Sequence, residues 1–267
     1  MSYEMVQEGS PGAAMVKISG LTLCHDERIL IGGINLDIAA GEIFAIIGAS
    51  GCGKSTLLHY LMGLESTSVG TILLNGYDIN GADEAERKHA REQFGVLFQG
   101  GALWTTMNLA ENVALPLENS SNFTCEERLD IARLKLSMVG LSGFESFFPH
   151  ELSGGMIKRA GIARAMVCNP AILFFDEPSA GLDPITSRKL DDLILRIRRN
   201  RGVTFILVTH ELESIFSIAD RVAFFDPDSH SVLDIGNPHV LAQKSSHAKV
   251  RHFFASNKLQ KTTPLLD

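Results

Sequence analysis

Gly48-Ala49-Ser50-Gly51-Cys52-Gly53-Lys54-Ser55, followed by Thr56, keeps the spacing G-x-x-x-x-G-K-S. Glycines at these places let backbone N–H groups turn toward a phosphate, and the positive end of a following helix favours the same anion. Lys54 can reach the β- and γ-phosphates, and the Ser55 hydroxyl can hold Mg2+. The stretch lacks a G-x-G-x-x-G pattern, so it reads as a phosphate cradle rather than a dinucleotide site. A second group, Ile172-Leu-Phe-Phe-Asp176-Glu177, is an apolar strand ending in two carboxylates. By itself such a pair is often a cap or a loop. Beside a phosphate cradle, Asp176 suits Mg2+, directly or through water, and Glu177 suits the water that attacks a γ-phosphate.

Leu152-Ser153-Gly154-Gly155-Met156 has small side chains ahead of a helical run expected to begin near Ile157. It would expose a second helix N-terminus to an anion. One chain then offers two phosphate-binding ends for one nucleotide. Gln99 follows the strand-like run Phe94 to Phe98, and His210 follows Thr204 to Val208. Alone, the first reads as a solvated loop residue and the second as structural. Asp183 before Pro184 reads as a helix N-cap with proline at the first helical position.

The elements that must position these residues follow from periodicity. Ile43 to Ile47 is an apolar strand ending in glycines, and Lys54 to Leu64 is helical, with Leu57, Leu58, Leu61 and Leu64 on one face. Further strands are expected at Ala171 to Phe175 and Arg221 to Phe225, with helices between, such as Arg188 to Arg198. Strands alternating with helices imply an α/β fold with a mostly parallel sheet covered on both faces. Residues 1–14, rich in Gly, Ser, Ala and Glu, read as a flexible lead, and the fold begins near Val16. From about 100 to 150 the pattern is helical, including Glu126 to Val139, which predicts a helical subdomain inserted into a domain spanning 15–240. Residues 241–267 are expected to form a helical extension and tail.

Bulk composition bounds the partners. The chain has 267 residues, 45% hydrophobic and 21% charged, as a core-forming protein does. Its apolar runs are a few residues long against the roughly 20 needed to span a bilayer, and no secretory pattern opens it, so it is expected in the cytoplasm. Four cysteines without a CxxC pair argue against a zinc site or a disulfide framework. A net charge of −7 argues against nucleic acid as a partner. The basic run Arg196 to Arg201 reads as a solvated helix end.

The ordered series Gln99, Ser153 to Gly155, Asp176-Glu177, Ala180-Gly181-Leu182-Asp183 and His210 behind the phosphate loop closely resembles the ABC ATPases, over about Val16 to Pro238. The resemblance implies a P-loop core with an N-terminal antiparallel β region, ATP with Mg2+, and a head-to-tail dimer. In that dimer, Ser153 to Gly155 of one copy completes the site of the other. It implies that Gln99 touches Mg2+ and the attacking water, that His210 bonds the γ-phosphate, and that Asp183 belongs to the nucleotide-binding residues as well as capping its helix. Met156 departs from the usual Gln, and the adenine-stacking place falls on His25, which stacks more weakly than Tyr or Trp.

Phe98-Gln99-Gly-Gly-Ala-Leu-Trp104, Met107 to Leu117, Gly181 to Thr186, Glu151 to Met156 and Val250 to Phe254 look like the ATPase of Mla/Mce-type intermembrane phospholipid transporters. Met156 fits that narrower group. That likeness implies a peripheral subunit on the cytoplasmic face of the inner membrane of a Gram-negative envelope. Its partners would be a second copy, an integral permease, a periplasmic MCE-domain protein and, in some systems, a STAS-domain regulator. The alternatives are an ATPase for import of a soluble nutrient, or a non-transport ABC protein. The second usually carries two cassettes or a long coiled coil, neither of which is seen here.

Overall fold

The computed structural model describes residues 14–25, 28–119 and 123–260; most of the expected lead and the last residues of the expected tail lie outside them. Strands β1 (Ala14–His25) and β2 (Arg28–Ala39) pair antiparallel, with Val16 opposite Ile38 and Ile18 opposite Leu36. Strand β3 (Ile43–Gly48) then leads into helix α1 (Lys54–Leu61), which is followed by β4 (Thr71–Leu74), β5 (Tyr77–Asp78) and α2 (Glu84–Glu92). β1, β2, β4 and β5 form one antiparallel sheet in the order β2-β1-β4-β5.

The chain continues through β6 (Phe94–Leu97), α3 (Leu109–Ala114), α4 (Cys125–Met138), α5 (Gly154–Ala165) and β7 (Ile172–Asp176). Next come α6 (Pro184–Arg201), β8 (Thr204–Val208), α7 (Leu212–Ile218) and β9 (Arg221–Asp226). It closes with β10 (Ser231–Gly236), α8 (Pro238–Lys244) and α9 (Ala248–Gln260). The second sheet runs β10-β9-β3-β8-β7-β6, parallel except for the edge strand β10.

Its central strands are buried on both faces, which is why they read as continuous apolar runs. Alternate side chains of β3 sort to opposite sides: Ile43, Ala45 and Ile47 join the core beneath the helices, whereas Phe44 and Ile46 join the core shared with α1 and the antiparallel sheet. Each fully buried side chain of this size contributes about 2 kcal/mol relative to exposure. β6 lies hard against α5: a Cβ on Gly95 would stand 1.9 Å from the Ala165 carbonyl oxygen.

Several boundaries differ from expectation. α1 stops at Leu61, because Gly63 (φ 65°) turns the chain against Ile79, and Leu64 is left 64% exposed rather than on the helix face. α5 begins at Gly154, not near Ile157, since the Ser153 hydroxyl caps it by accepting from the Met156 N–H. α6 starts at Pro184, four residues before Arg188, and Phe98 lies beyond β6. Among the described residues no helix is long and apolar enough to cross a membrane.

Candidate functional site

Sheet register gathers the chemistry onto one edge. Leu97 of β6 pairs with Phe175 of β7, so Gln99 and Glu177 each lie two residues past a paired position on neighbouring strands. Asp176 pairs with Val208 of β8, which in turn pairs with Ile46 of β3, so His210 and Gly48 lie two residues past their own paired positions. All of these stand at the carboxyl ends of parallel strands, where open α/β sheets bind ligands.

The loop between β3 and α1 needs its glycines. Gly48 has φ 149°, and a Cβ there would fall 2.3 Å from the Phe225 carbonyl oxygen and 2.9 Å from the Cys52 sulfur. Gly51 and Gly53 also have positive φ, and Gly53 is the N-cap residue of α1 without a side-chain cap. The first-turn N–H groups of α1 are therefore available to an anion. Ala49, Ser50 and Gly51 form the exposed rim, Cys52 is buried, and Thr56 is half-buried. Burial pushes the Cys52 thiol up, against the pull of Lys54. The Lys54 ammonium folds back on the loop, donating to the carbonyl oxygens of Gly48 (3.0 Å) and Ala49 (2.8 Å).

The Ser55 hydroxyl donates to Asp176 Oδ1 at 3.5 Å. Burial raises the Asp176 carboxyl above the ordinary range, and the neighbouring Glu177 charge raises it further; Ser55, His59 and Lys54 pull it back. Ser55 and Asp176 bring a hydroxyl and a carboxylate together, oxygen donors that fit a hard cation such as Mg2+, and the exposed Gln99 stands past the neighbouring strand. With a single carboxylate there, a bound cation would need phosphate oxygens and water to complete its shell.

Glu177 sits in the left-handed region (φ 46°), unusual for a residue with a side chain. Its N–H donates to the Val208 carbonyl (2.8 Å), and its Oε1 lies 2.8 Å from His210 Nδ1. Its Oε2 is buried and has no hydrogen-bond partner. Such strain and such an orphan oxygen persist where the surrounding structure over-determines them, and they concentrate at active sites.

The turn from Ser153 to Gly155, the second anion-binding end expected from the sequence, is separate. Ser153 and Gly154 are exposed at the start of α5, while a Cβ on Gly155 would stand 2.6 Å from Thr186 Cγ2 on α6. Ser153 and Gly155 line a cleft of about 470 Å³ with Arg159, Thr186, Lys189 and Arg196, and none of its lining residues belongs to the phosphate loop. Asp183 caps α6: Oδ1 accepts from the N–H groups of Ile185 and Thr186, each at 3.0 Å, and Oδ2 from the Thr186 hydroxyl at 2.5 Å. Those bonds, Thr186 first, hold its carboxyl below the usual range. His25 ends β1 opposite Arg28; its side chain lies outside the described residues.

Three residues that sequence reasoning passed over organise this edge. Lys158, on α5 and 5% exposed, donates to the carbonyl oxygens of Gln99 and Glu177. Arg164 donates to the carbonyls of Gly101 and Ala102. Asn112, fully buried, accepts from the Trp104 N–H (2.7 Å) and donates to the carbonyls of Trp104, Met107 and Asn108. The available signal was polar residues on otherwise apolar helical stretches.

A family model described as ABC transporter matches residues 31–180. The probable ribonucleotide transport ATP-binding protein mkl of Mycobacterium tuberculosis is 40% identical over 215 residues, which cover 80% of this chain and 60% of that protein. Methionine import ATP-binding protein MetN of Rhizobium johnstonii is 44% identical over 225 residues, covering 84% and 62%. The intermembrane phospholipid transport system ATP-binding protein MlaF of Haemophilus influenzae is 38% identical over 206 residues, covering 77% and 78%. The chain thus spans about 60% of the length of the first two relatives. Among solved structures, the dimeric, post-hydrolysis ATP-binding cassette MJ0796 with ADP and Pi superposes with a TM-score of 0.74 at 31% identity, covering 84% of this chain and 98% of that one.

Proposed function

We propose that this chain, which belongs to the ABC transporter family, hydrolyses ATP between two copies of itself to power phospholipid movement between an inner and an outer membrane. The observation carrying the ATPase reading is the sheet edge that aligns Gly48 to Thr56, Gln99, Asp176, Glu177 and His210, with Ser153 to Gly155 in a different cleft.

In this reading the loop N–H groups and the α1 N-terminus bind the phosphates, and Lys54 leaves the Gly48 and Ala49 carbonyls for the β- and γ-phosphates. Ser55, Asp176 and Gln99 would hold Mg2+, which when bound neutralises charge on the β- and γ-oxygens. Glu177 orients the attacking water through its free Oε2, while His210 braces Oε1 and faces the γ-phosphate. Ser153 to Gly155 of the second copy, arriving head to tail, supply the other anion-binding end. Asp183 contributes as the α6 cap that holds the turn beside it, and His25 supports the adenine. Closure of the pair with ATP is a population shift driven by contacts made only in the closed state.

The phospholipid assignment is supported by the likeness to MlaF and by Met156 in the second anion-binding turn. The protein would sit on the cytoplasmic face of the inner membrane beneath a permease, with an MCE-domain protein across the membrane and a STAS-domain regulator as a further partner. Trp104, 59% exposed on the loop after Gln99 and held there by Asn112, is the anchor proposed for permease docking. The likeness to MetN favours a second reading, import of a small nutrient.

Deleting the gene separates the two. Loss of outer-membrane lipid asymmetry and detergent resistance, with an MCE-associated permease in the detergent pull-down, is the expected result. Intact asymmetry with failed methionine uptake would overturn the lipid assignment and leave the ATPase assignment standing.

A further inference from the structure

We infer that Lys158 is a positioning residue for hydrolysis: its ammonium ties the main-chain oxygens of Gln99 and Glu177 to the helix that presents Ser153 to Gly155. The inference rests on the ATPase reading above.

Lys158 lies about one helical turn past the α5 N-terminus and is buried to 5% exposure, which is costly for an ammonium unless its donors are used. Both oxygens it meets are carbonyls at the sheet edge, Gln99 O and, at 3.1 Å, Glu177 O. Neither contact is to a group that would touch nucleotide, so Lys158 acts through the two residues it holds.

Glu177 is the residue in need of holding. Its left-handed backbone is strained for a residue with a side chain, and it persists because the peptide is gripped on both sides. Val208 takes its N–H, and Lys158 and the Ala180 N–H (3.2 Å) share its carbonyl. At Gln99, Lys158 fixes the start of a loop whose next carbonyls, Gly101 and Ala102, are taken by Arg164 of the same helix. Between these cations α5 touches the loop directly: a Cβ on Gly161 would stand 2.6 Å from Leu97 Cδ1 and 3.4 Å from the Gly101 oxygen. The helix that would cover the partner copy's nucleotide is therefore fastened to the residues that would orient water on its own.

The test compares Lys158→Met, Lys158→Arg and Glu177→Gln in the full chain. Lys158→Met should lower kcat about tenfold or more, because a small misplacement of an orienting group is costly, with the dissociation constant for ATP changed less than about twofold. Lys158→Arg, keeping charge and donors, should recover most of kcat. In nucleotide-free Lys158→Met, amide exchange at Ala180 and Gly101 should quicken, a readout independent of turnover. Native kcat in Lys158→Met, an equal loss in Lys158→Arg, or weakening of ATP binding in parallel with kcat would overturn the inference. If Lys158→Met does not fold, Lys158→Gln takes its place, because one shorter amide cannot hold both oxygens; unchanged kcat there overturns it equally. Glu177→Gln with undiminished turnover would instead sink the ATPase reading of Glu177, leaving the exchange result to judge the tether.

Discussion

Replacing Glu177 by glutamine should separate function from stability. The carboxylate's Oε1 is 2.8 Å from His210 Nδ1, its Oε2 is buried without a partner, and its charge helps raise the Asp176 carboxyl beside it. An unsatisfied buried polar oxygen costs about 1–3 kcal/mol, and more when charged. Glutamine keeps the shape and an acceptor for His210 but removes the charge, leaving a neutral amide in the orphan position. The folded state should therefore be unchanged or gain up to about 1 kcal/mol, which moves the melting temperature upward by no more than about 4 °C for a chain of this size. Turnover should fall on the order of 10²-fold, roughly 3 kcal/mol of barrier, because the group proposed to orient water is lost while the proposed phosphate cradle remains. Phosphate release at saturating ATP gives kcat, titration with a fluorescent ATP analogue gives binding, and gel filtration with ATP should show a trapped dimer. Turnover within about threefold of native would place the catalytic role elsewhere, and a marked fall in melting temperature would show Glu177 to be structural.

Asn112→Ala should cost about 2–4 kcal/mol by leaving the carbonyls and N–H of its loop unpaired. Trp104 is the single tryptophan, so its emission should shift with the loop; an unmoved spectrum would refute Asn112 as its support. Burial raises the Asp191 carboxyl to about 6, with the Ser214 hydroxyl bond opposing and Glu211 and Asp192 adding. The folded state then holds this proton more tightly than the unfolded one, so stability declines as pH rises from about 4 to about 6. Asp191→Asn should remove that decline, being more stable than the native protein at pH about 7.5 by roughly 1–3 kcal/mol and converging with it near pH 4; parallel pH profiles of stability across that range would refute it. His25→Tyr should sharpen preference for ATP over GTP in competition binding; selectivity unchanged in both His25→Tyr and His25→Ala would show that other residues read the base.

Legibility in the sequence followed burial. β3, β8 and β9 sit between two covered faces, so each is a plain apolar run whose limits can be read nearly to the residue. β10, half-buried at the sheet edge, has no such run and went unnoticed as Ser231 to Gly236. Gly154 and Gly155 disguised the start of α5, because glycine reads as loop, and at Gly155 the helix needs it for close approach to Thr186. The proposed phosphate loop, Asp176 and Glu177 stand out in the sequence because phosphate and metal chemistry would demand fixed residue types at fixed spacing. Lys158 was not, since a lysine on a helix ordinarily means solvent, and only the fold reveals that its face is turned onto two carbonyl oxygens. Asn112 was hidden for the same reason: an isolated amide looks alike whether it meets water or four backbone groups.

The arrangement of α5 bears on how a membrane partner could reach the chemistry. Coupling between sites needs a physical element with two arrangements that both sites bias, and proximity alone does not supply one. Here the exposed Trp104 belongs to a loop whose residues 101 and 102 are bound by Arg164, whose residue 99 is bound by Lys158, and whose turn is closed by Asn112. The same helix begins at the exposed Ser153 and Gly154 and, through Lys158, holds the strained peptide of Glu177. If a permease docks at Trp104 as proposed, a push there would meet a loop tied to α5 by these bonds. That helix carries the Ser153 to Gly155 turn proposed to cover a partner copy's nucleotide and the tether to Glu177, proposed to orient water in its own site. In a pair of such chains each site depends on both helices, so one docking event would close and align both sites together.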